Sequence, residues 1–206
     1  ILNFPICRSI LKMVREECTM YEIAIIGAGP AGASAAIFTA KAGKSTVLFD
    51  GGTSATKRAL LKNHYGVTEI TGPDLVETGK KQAAQFGAKL VDKKVESIEK
   101  TENGFTIKTE QGSYESKYVI LATGMIASLG EALGVKTKPA TEPRVKTVFA
   151  VDAQGKTNVP NVWACGTVAG VSMHTIITAG DGAKVAVNLI SEIDGKRWVD
   201  HDVLGK

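Results

Sequence analysis

Three glycines in the segment Gly27–Gly32, which reads G-A-G-P-A-G, have the spacing of a phosphate-binding turn. The segment follows the β-rich run Tyr21–Ile26 and opens a stretch of small, helix-compatible residues. Free backbone N–H groups and the positive end of the helix dipole would meet a pyrophosphate there. The first glycine permits the tight turn, the second lets the backbone approach the phosphates, and the third lets helix and strand pack closely. The predicted phosphate-binding residues are Gly27, Gly29, Pro30, Ala31 and Gly32.

An aspartate lies at the distance from the glycine turn that is typical of dinucleotide-binding sites. Asp50 ends the apolar run Thr46–Phe49, about 20 residues beyond the glycines, which is the position that takes the ribose hydroxyls of a dinucleotide. The helical stretch Ala33–Ala42 lies between the two strands, so the segment predicts a βαβ unit. This spacing alone does not show whether the dinucleotide is FAD or NAD.

The remaining elements complete an α/β pattern. A meander of three antiparallel strands is predicted because Asn-Gly and Gln-Gly turns separate short β-rich runs. The predicted elements are a helix over Pro73–Phe86, strands over Lys89–Glu99, Phe105–Thr109, Tyr114–Leu121 and Val162–Cys165, and a helix over Ile176–Ile193. We therefore expect a single Rossmann-type domain with a central parallel sheet, helices on its faces and the meander over one side.

The domain organisation follows from these elements. Residues 1–19 precede Met20 and are expected to be an N-terminal extension, either a short amphipathic helix or sequence upstream of the natural start. Residues 20–206 are expected to form one domain, in which segments 20–125 and 147–195 are joined by a short linker. The connecting residues, 126–147, are rich in Thr, Lys and Pro and show no period.

Composition narrows the function classes. The net charge of +4 is spread along the chain and aromatic residues are 6%, so no nucleic-acid surface is predicted. No apolar run reaches the length of about 18 residues that spans a membrane. Cys7, Cys18 and Cys165 form neither a C-x-x-C pair nor a metal-ligand spacing. We expect a soluble cytoplasmic protein without a metal site.

Two later segments favour FAD. The apolar run 118–124 ends in Ala122-Thr123-Gly124 and resembles the A-T-G segment of FAD-dependent pyridine nucleotide-disulfide oxidoreductases. Residues 157–167, T-N-V-P-N-V-W-A-C-G-T, resemble the second FAD segment of that superfamily except at the last position, where Thr167 replaces an aspartate. The chain is similar to the FAD domain of the thioredoxin reductases from Tyr21 to about Ile193.

The resemblance implies a non-covalent FAD and a set of residues around it. It puts Asn63, in the turn N-H-Y-G, beside the isoalloxazine, the Val95 backbone at the adenine, and the start of the last helix at the N1/C2 edge of the flavin. The residues that it adds to the glycine turn and Asp50 are Asn63, Val95, Ala122, Thr123, Gly124, Gly166, Thr167, Thr175 and Ile176.

Among the remaining side chains near the implied flavin, His174 is the candidate catalytic residue. It would act as a proton donor, and the alternative is that it packs or meets solvent. His64 and Trp163 are expected to pack, and Cys165 is expected to be a buried, unreactive thiol.

The sequence also departs from the thioredoxin reductases in two respects. Thioredoxin reductases insert an NADPH domain after the A-T-G strand, whereas residues 125–156 are far too few for a domain of roughly 100 residues. The redox C-x-x-C of that inserted domain is also absent from this sequence. We expect electrons to reach FAD from a nicotinamide nucleotide, NADH or NADPH, or from a partner protein, without self-sufficient thioredoxin reductase activity. A non-catalytic FAD- or NAD-binding module acting through a partner, and a decayed reductase, stay open. Because thioredoxin reductases are dimers, the resemblance also suggests a homodimer.

Overall fold

A computed structural model describes residues 20–200 and 202–204. The predicted N-terminal extension, with Cys7 and Cys18, lies outside these described residues. The strands are β1 Met20–Ile26, β2 Thr46–Phe49, β3 Leu60–Leu61, β4 Ile70–Thr71, β5 Lys89–Val91, β6 Val95–Thr101, β7 Gly104–Thr109, β8 Gly112–Leu121, β9 Thr137–Pro139, β10 Thr147–Phe149 and β11 Val162–Ala164. The helices are α1 Pro30–Lys41, α2 Gly72–Gln85, α3 Ser128–Ala132 and α4 Thr175–Ile193.

The main sheet has seven strands, in the order β5-β2-β1-β8-β7-β6, with β11 paired to β8. β1 lies between β2 and β8 and runs parallel to both. β5 and β11 extend the parallel part, while β6 and β7 pair antiparallel with their neighbours. The predicted α/β Rossmann class, with a parallel sheet and a three-stranded meander, is therefore confirmed.

Both faces of the parallel strands are covered, which explains their nearly continuous apolar sequences. Ile23 and Ile25 face a cluster built with α1 and α4, whereas Ala24 and Ile26 face a cluster that includes Phe105 of the meander. Helices α1 and α4 approach closely. A Cβ placed on Gly182 would lie 2.0 Å from the Ala31 carbonyl oxygen, so only glycine fits at this crossing.

Two predicted elements need correction. The run Lys89–Glu99, predicted to be one strand, is two: β5 joins the parallel sheet, a turn follows, and β6 begins the meander. The connecting segment 126–147, predicted to be a linker without period, contains α3, β9 and the start of β10. α3 packs so closely that a Cβ on Gly130 would meet the Phe149 ring at 2.3 Å.

None of the helices in the described part of the chain is both long enough and apolar enough to cross a membrane.

Candidate functional site

The glycine turn between β1 and α1 lies at the carboxyl end of the parallel strands. Gly27 donates a hydrogen bond to the Phe49 carbonyl at 2.9 Å and has a φ of 107°, which favours glycine. A Cβ on Gly27 would lie 2.4 Å from the Ala122 oxygen, and one on Gly32 would lie 1.8 Å from the Gly27 oxygen. Both glycines are therefore required by packing, in agreement with the roles inferred from their spacing.

The first turn of α1 offers backbone donors without an intramolecular competitor. Gly29 is the N-cap, Pro30 follows it, and neither a capping side chain nor an acidic residue is present in that turn. The first intrahelical bond runs from Ala33 N–H to the Gly29 oxygen at 2.9 Å, so the N–H groups of Ala31 and Gly32 precede it. α2 differs, because its N-cap side chain accepts from the backbone and an aspartate lies in its first turn. The start of α1 thus suits an anion.

Asp50 follows β2 and is held in place by several donors. Its Oδ1 accepts from the Gly52 N–H at 2.8 Å, and its Oδ2 lies 3.1 Å from the Lys80 ammonium and 4.0 Å from that of Lys57. Burial by itself would raise the pKa of Asp50, but the Gly52 bond and the two lysines outweigh it and lower the pKa. The carboxylate is therefore ionised at neutral pH.

Lys80 on α2 joins two strand ends. Besides Asp50, it contacts Asp92, which follows β5, at 2.5 Å. Burial would lower the pKa of Lys80, yet the two carboxylates raise it. Sequence reasoning missed this lysine, because nothing in the spacing of α2 distinguishes it from its exposed neighbour Lys81.

A cleft of about 420 Å³ opens at these groups. It is lined by Asp50, Gly51, Gly52, Lys57, Lys80, Asp92, Lys93, Lys94 and Glu110. Val95, predicted from the resemblance to contact an adenine, directly follows the lining residue Lys94 and begins β6. The structure therefore brings Asp50 and the neighbourhood of Val95 to one cleft.

The A-T-G segment ends β8 beside the glycine turn. The Ala122 N–H donates to the Ile26 carbonyl at 2.9 Å, which joins the ends of β8 and β1. The Thr123 hydroxyl donates to the Ile126 carbonyl at 2.5 Å, and Gly124 has a φ of 67°. Ligands of parallel α/β sheets bind at this end of the strands.

The segment after β11 is fixed by an aspartate that sequence reasoning missed. The Gly166 N–H donates at 2.8 Å to Oδ2 of Asp181, which is buried on α4 and also contacts Lys184 at 2.6 Å. A Cβ on Gly166 would lie 2.7 Å from that of Ala31, so this turn packs directly on α1. Thr167 is buried next to it. The available signal was an isolated carboxylate in an otherwise apolar and small-residue stretch of helix.

Two histidines meet the start of α4. His174 is the N-cap and is exposed, and its Nδ1 lies 2.8 Å from the Ser172 hydroxyl. His64 Nδ1 lies 3.0 Å from the Thr175 hydroxyl, so this histidine ties the loop after β3 to the helix as well as packing. The neighbouring Asn63 is exposed. Sequence reasoning missed the His64–Thr175 pair, since the two residues are far apart in the chain.

Cys165 lies at the end of β11 and is fully buried. Burial, with a smaller contribution from Asp181, raises the pKa of the thiol far above its usual range. A thiol held protonated in this way is a poor nucleophile, in agreement with the expected unreactive role. Trp163 is likewise buried, as expected.

The glycine turn, the open first turn of α1 and the carboxylate after β2 have the arrangement that is typical of dinucleotide-binding proteins of the Rossmann class. The sequence pattern of the family described as pyridine nucleotide-disulphide oxidoreductase matches residues 21–141 and 91–183. The chain belongs to this family, and its similarity to thioredoxin reductases agrees with the resemblance noted in the sequence.

The curated relatives are longer than the matched stretch. A thioredoxin reductase from Peptoclostridium acidaminophilum is 38% identical over 119 residues, which cover 56% of this chain and 38% of that protein. NADPH-dependent thioredoxin reductase 3 from Arabidopsis thaliana is 38% identical over 113 residues, 51% of this chain and 21% of its own length. The match thus spans well under half of either relative.

Solved structures share the fold at low identity. A thioredoxin reductase from Gloeobacter violaceus superposes with a TM-score of 0.72 at 18% identity, covering 89% of this chain and 98% of its own. An oxidoreductase from Agrobacterium tumefaciens gives a TM-score of 0.74 at 14% identity, covering 86% and 100%. These likenesses support the fold.

Proposed function

We propose that residues 20–206 form an FAD domain, composed of segments 20–125 and 147–195, and that the chain is a flavin-dependent oxidoreductase. The observation that carries this proposal is the first turn of α1, where uncapped N–H groups follow a glycine turn and an ionised Asp50 ends the next strand. This combination suits a pyrophosphate attached to a ribose.

The residues present fit FAD along its length. The N–H groups of Ala31 and Gly32 would bind the pyrophosphate. Asp50 would accept from the adenosine ribose in the cleft of about 420 Å³, beside the start of β6. When bound, the flavin supplies the two-electron chemistry, and the protein supplies binding and orientation.

At the flavin end, the proposal assigns three groups. Thr167 would hydrogen-bond the ribityl chain in place of an aspartate. The backbone of Thr175 and Ile176, at the positive end of α4, would lie at the N1/C2 edge and favour negative charge there. Asn63 would border the ring from the loop after β3, which His64 ties to Thr175.

The electron donor in this proposal is a nicotinamide nucleotide or a partner protein that reaches the flavin face. This sequence has no C-x-x-C, so this chain alone should not reduce thioredoxin. A standard disulfide assay with NADPH and thioredoxin should give no turnover. Turnover that survives replacement of all three cysteines would contradict this part of the proposal.

Cofactor identity is tested by heat denaturation of the purified protein and chromatography of the supernatant, before and after incubation with excess FAD. We expect FAD. Release of NAD, or of nothing after the incubation, would overturn the proposal.

A second experiment separates the enzyme from a non-catalytic module. The yellow protein is mixed anaerobically with NADH or NADPH and followed by absorbance. Bleaching supports an oxidoreductase that takes electrons from nicotinamide nucleotides. A flavin that dithionite reduces but neither nucleotide reduces points to a partner protein as the donor, and a colourless protein supports the module.

A further inference from the structure

The loop between β9 and β10 carries Glu142 to the segment that precedes α4. The half-buried Glu142 accepts a hydrogen bond through Oε2 from the Met173 N–H at 3.1 Å. The Ser172 hydroxyl lies 3.5 Å from the same oxygen. The segment that joins the two halves of the domain therefore supplies a carboxylate directly at the start of the helix.

A hydrogen-bonded chain continues from Glu142 to His174. The Ser172 hydroxyl lies 2.8 Å from Nδ1 of His174. An ionised carboxylate only accepts, so the Ser172 O–H that points to Glu142 leaves the serine oxygen free to accept from the imidazole. His174 then carries its neutral-state proton on Nδ1, and the lone pair lies on Nε2.

We propose that His174 is a proton-transfer residue through Nε2, and that Ser172 and Glu142 are positioning residues that fix its tautomer. The proposal rests on the proposed flavin function, which puts the N1/C2 edge of the flavin at the start of α4. His174 is the N-cap of this helix and is exposed, so Nε2 has access to a bound substrate. The doubly protonated imidazolium of His174 can give up its Nε2 proton, which leaves the Nδ1–H tautomer, and Nε2 can then regain a proton from solvent.

The effect of His174 should depend on whether the electron acceptor also takes up protons. Reduction of 1,4-benzoquinone to hydroquinone takes up two electrons and two protons. Reduction of ferricyanide to ferrocyanide takes up one electron and no proton. One of the quinone's two protons travels with the electron pair from the reduced flavin, and His174 supplies the other to the second oxygen.

The first test reads the tautomer directly, by long-range ¹H–¹⁵N correlation of the histidine rings in the full purified chain. We expect His174 in the Nδ1–H form in the wild type. Ser172→Ala should shift it toward Nε2–H, Ser172→Thr should restore Nδ1–H, and Glu142→Gln should weaken the preference. Glu131→Gln, which removes a charge from the exposed surface of α3, is the matched control, and the signals of His64 serve as internal reference.

The second test uses flavin-loaded protein, reduced with dithionite and mixed with ferricyanide or 1,4-benzoquinone by stopped flow. His174→Gln should lower the ratio of quinone to ferricyanide rates about a hundredfold, the lower end for general acid catalysis. Ser172→Ala should lower the ratio about tenfold, with recovery in Ser172→Thr.

Equal slowing with both acceptors, or an Nε2–H ring in the wild type, would overturn the relay. Protein that takes up no flavin would instead contradict the proposed function, so the failure of the relay and the failure of the proposed function are distinguishable.

Discussion

The Lys80 ammonium lies 3.1 Å from the Asp50 carboxylate and 2.5 Å from that of Asp92, so one side chain of α2 holds the ends of β2 and β5 together. Both Lys80 and Asp50 are largely buried at this contact. A buried carboxylate that loses its partner is left desolvated without compensation. Removing this contact should therefore disturb the cleft and destabilise the domain together.

Lys80→Met should lower the free energy of unfolding by about 1 to 3 kcal/mol, because Asp50 and Asp92 lose a charged donor while the buried stem is kept. Urea denaturation of the flavin-free protein measures it. The neighbouring Lys81→Met is the control: its side chain is 72% exposed and 3.8 Å from Glu77, so we expect a change within about 0.5 kcal/mol. Equal effects of the two variants would show that Lys80 does not hold the strand ends.

The pH dependence of stability should carry the signature of Asp50. Its pKa in the folded protein is below the ordinary value of 3.8, so its stabilising contribution is fully present above that value and is lost as the pH falls through the folded-state pKa. The difference in unfolding free energy between wild type and Asp50→Asn should stay constant from about pH 7 to 5 and shrink below about pH 4. A difference that grows on acidification would contradict the lowered pKa.

Two helical glycines should respond in opposite directions to alanine. In Gly32→Ala the new Cβ would lie 1.8 Å from the Gly27 oxygen, so the turn must open and we expect a loss of at least about 3 kcal/mol. Gly180→Ala places its Cβ in open space on the exposed side of α4, and alanine should stabilise the helix by about 0.5 to 1 kcal/mol. Thermal unfolding of the two variants compares them. A tolerated Gly32→Ala would mean that the turn is not as tight as its contacts indicate.

Short sequence patterns predicted the elements whose structure depends mainly on neighbouring residues in the chain. The glycine turn and β2 follow from spacing and from a short apolar run, and both were found where the sequence predicted them. β5 and β6 were merged, because the alternation in Lys89–Glu99 continues across the turn that separates them. α3 was missed because five residues carry too little periodicity, and its position depends on contact with Phe149.

In the candidate site, the position of Asp50 after β2 was predictable, because its distance from the glycines is fixed by the βαβ unit. Lys80, Asp181 and Glu142 were not, since each acts on a partner that the fold alone brings near. The pair His64–Thr175 joins residues separated by 111 positions in the chain, which no local pattern encodes.

The last prediction concerns Thr167, which is buried beside Gly166, the residue bonded to Asp181. A carboxylate there could accept charge-assisted hydrogen bonds from a ribityl chain, contributing about 1.5 to 3 kcal/mol against about 0.5 to 1.5 for the neutral hydroxyl. Repulsion from the pyrophosphate reduces the gain, so Thr167→Asp should bind FAD about tenfold more tightly than wild type.

The same substitution should destabilise the flavin-free protein, because it buries a second carboxylate near Asp181. Thr167→Asn, of equal size and without charge, is the control and should leave both FAD affinity and stability closer to wild type. Titration of the three proteins with FAD by flavin fluorescence, together with urea denaturation, measures both effects. Equal or weaker FAD binding by the aspartate variant would mean that residue 167 does not face the ribityl chain, or that the ligand is not FAD.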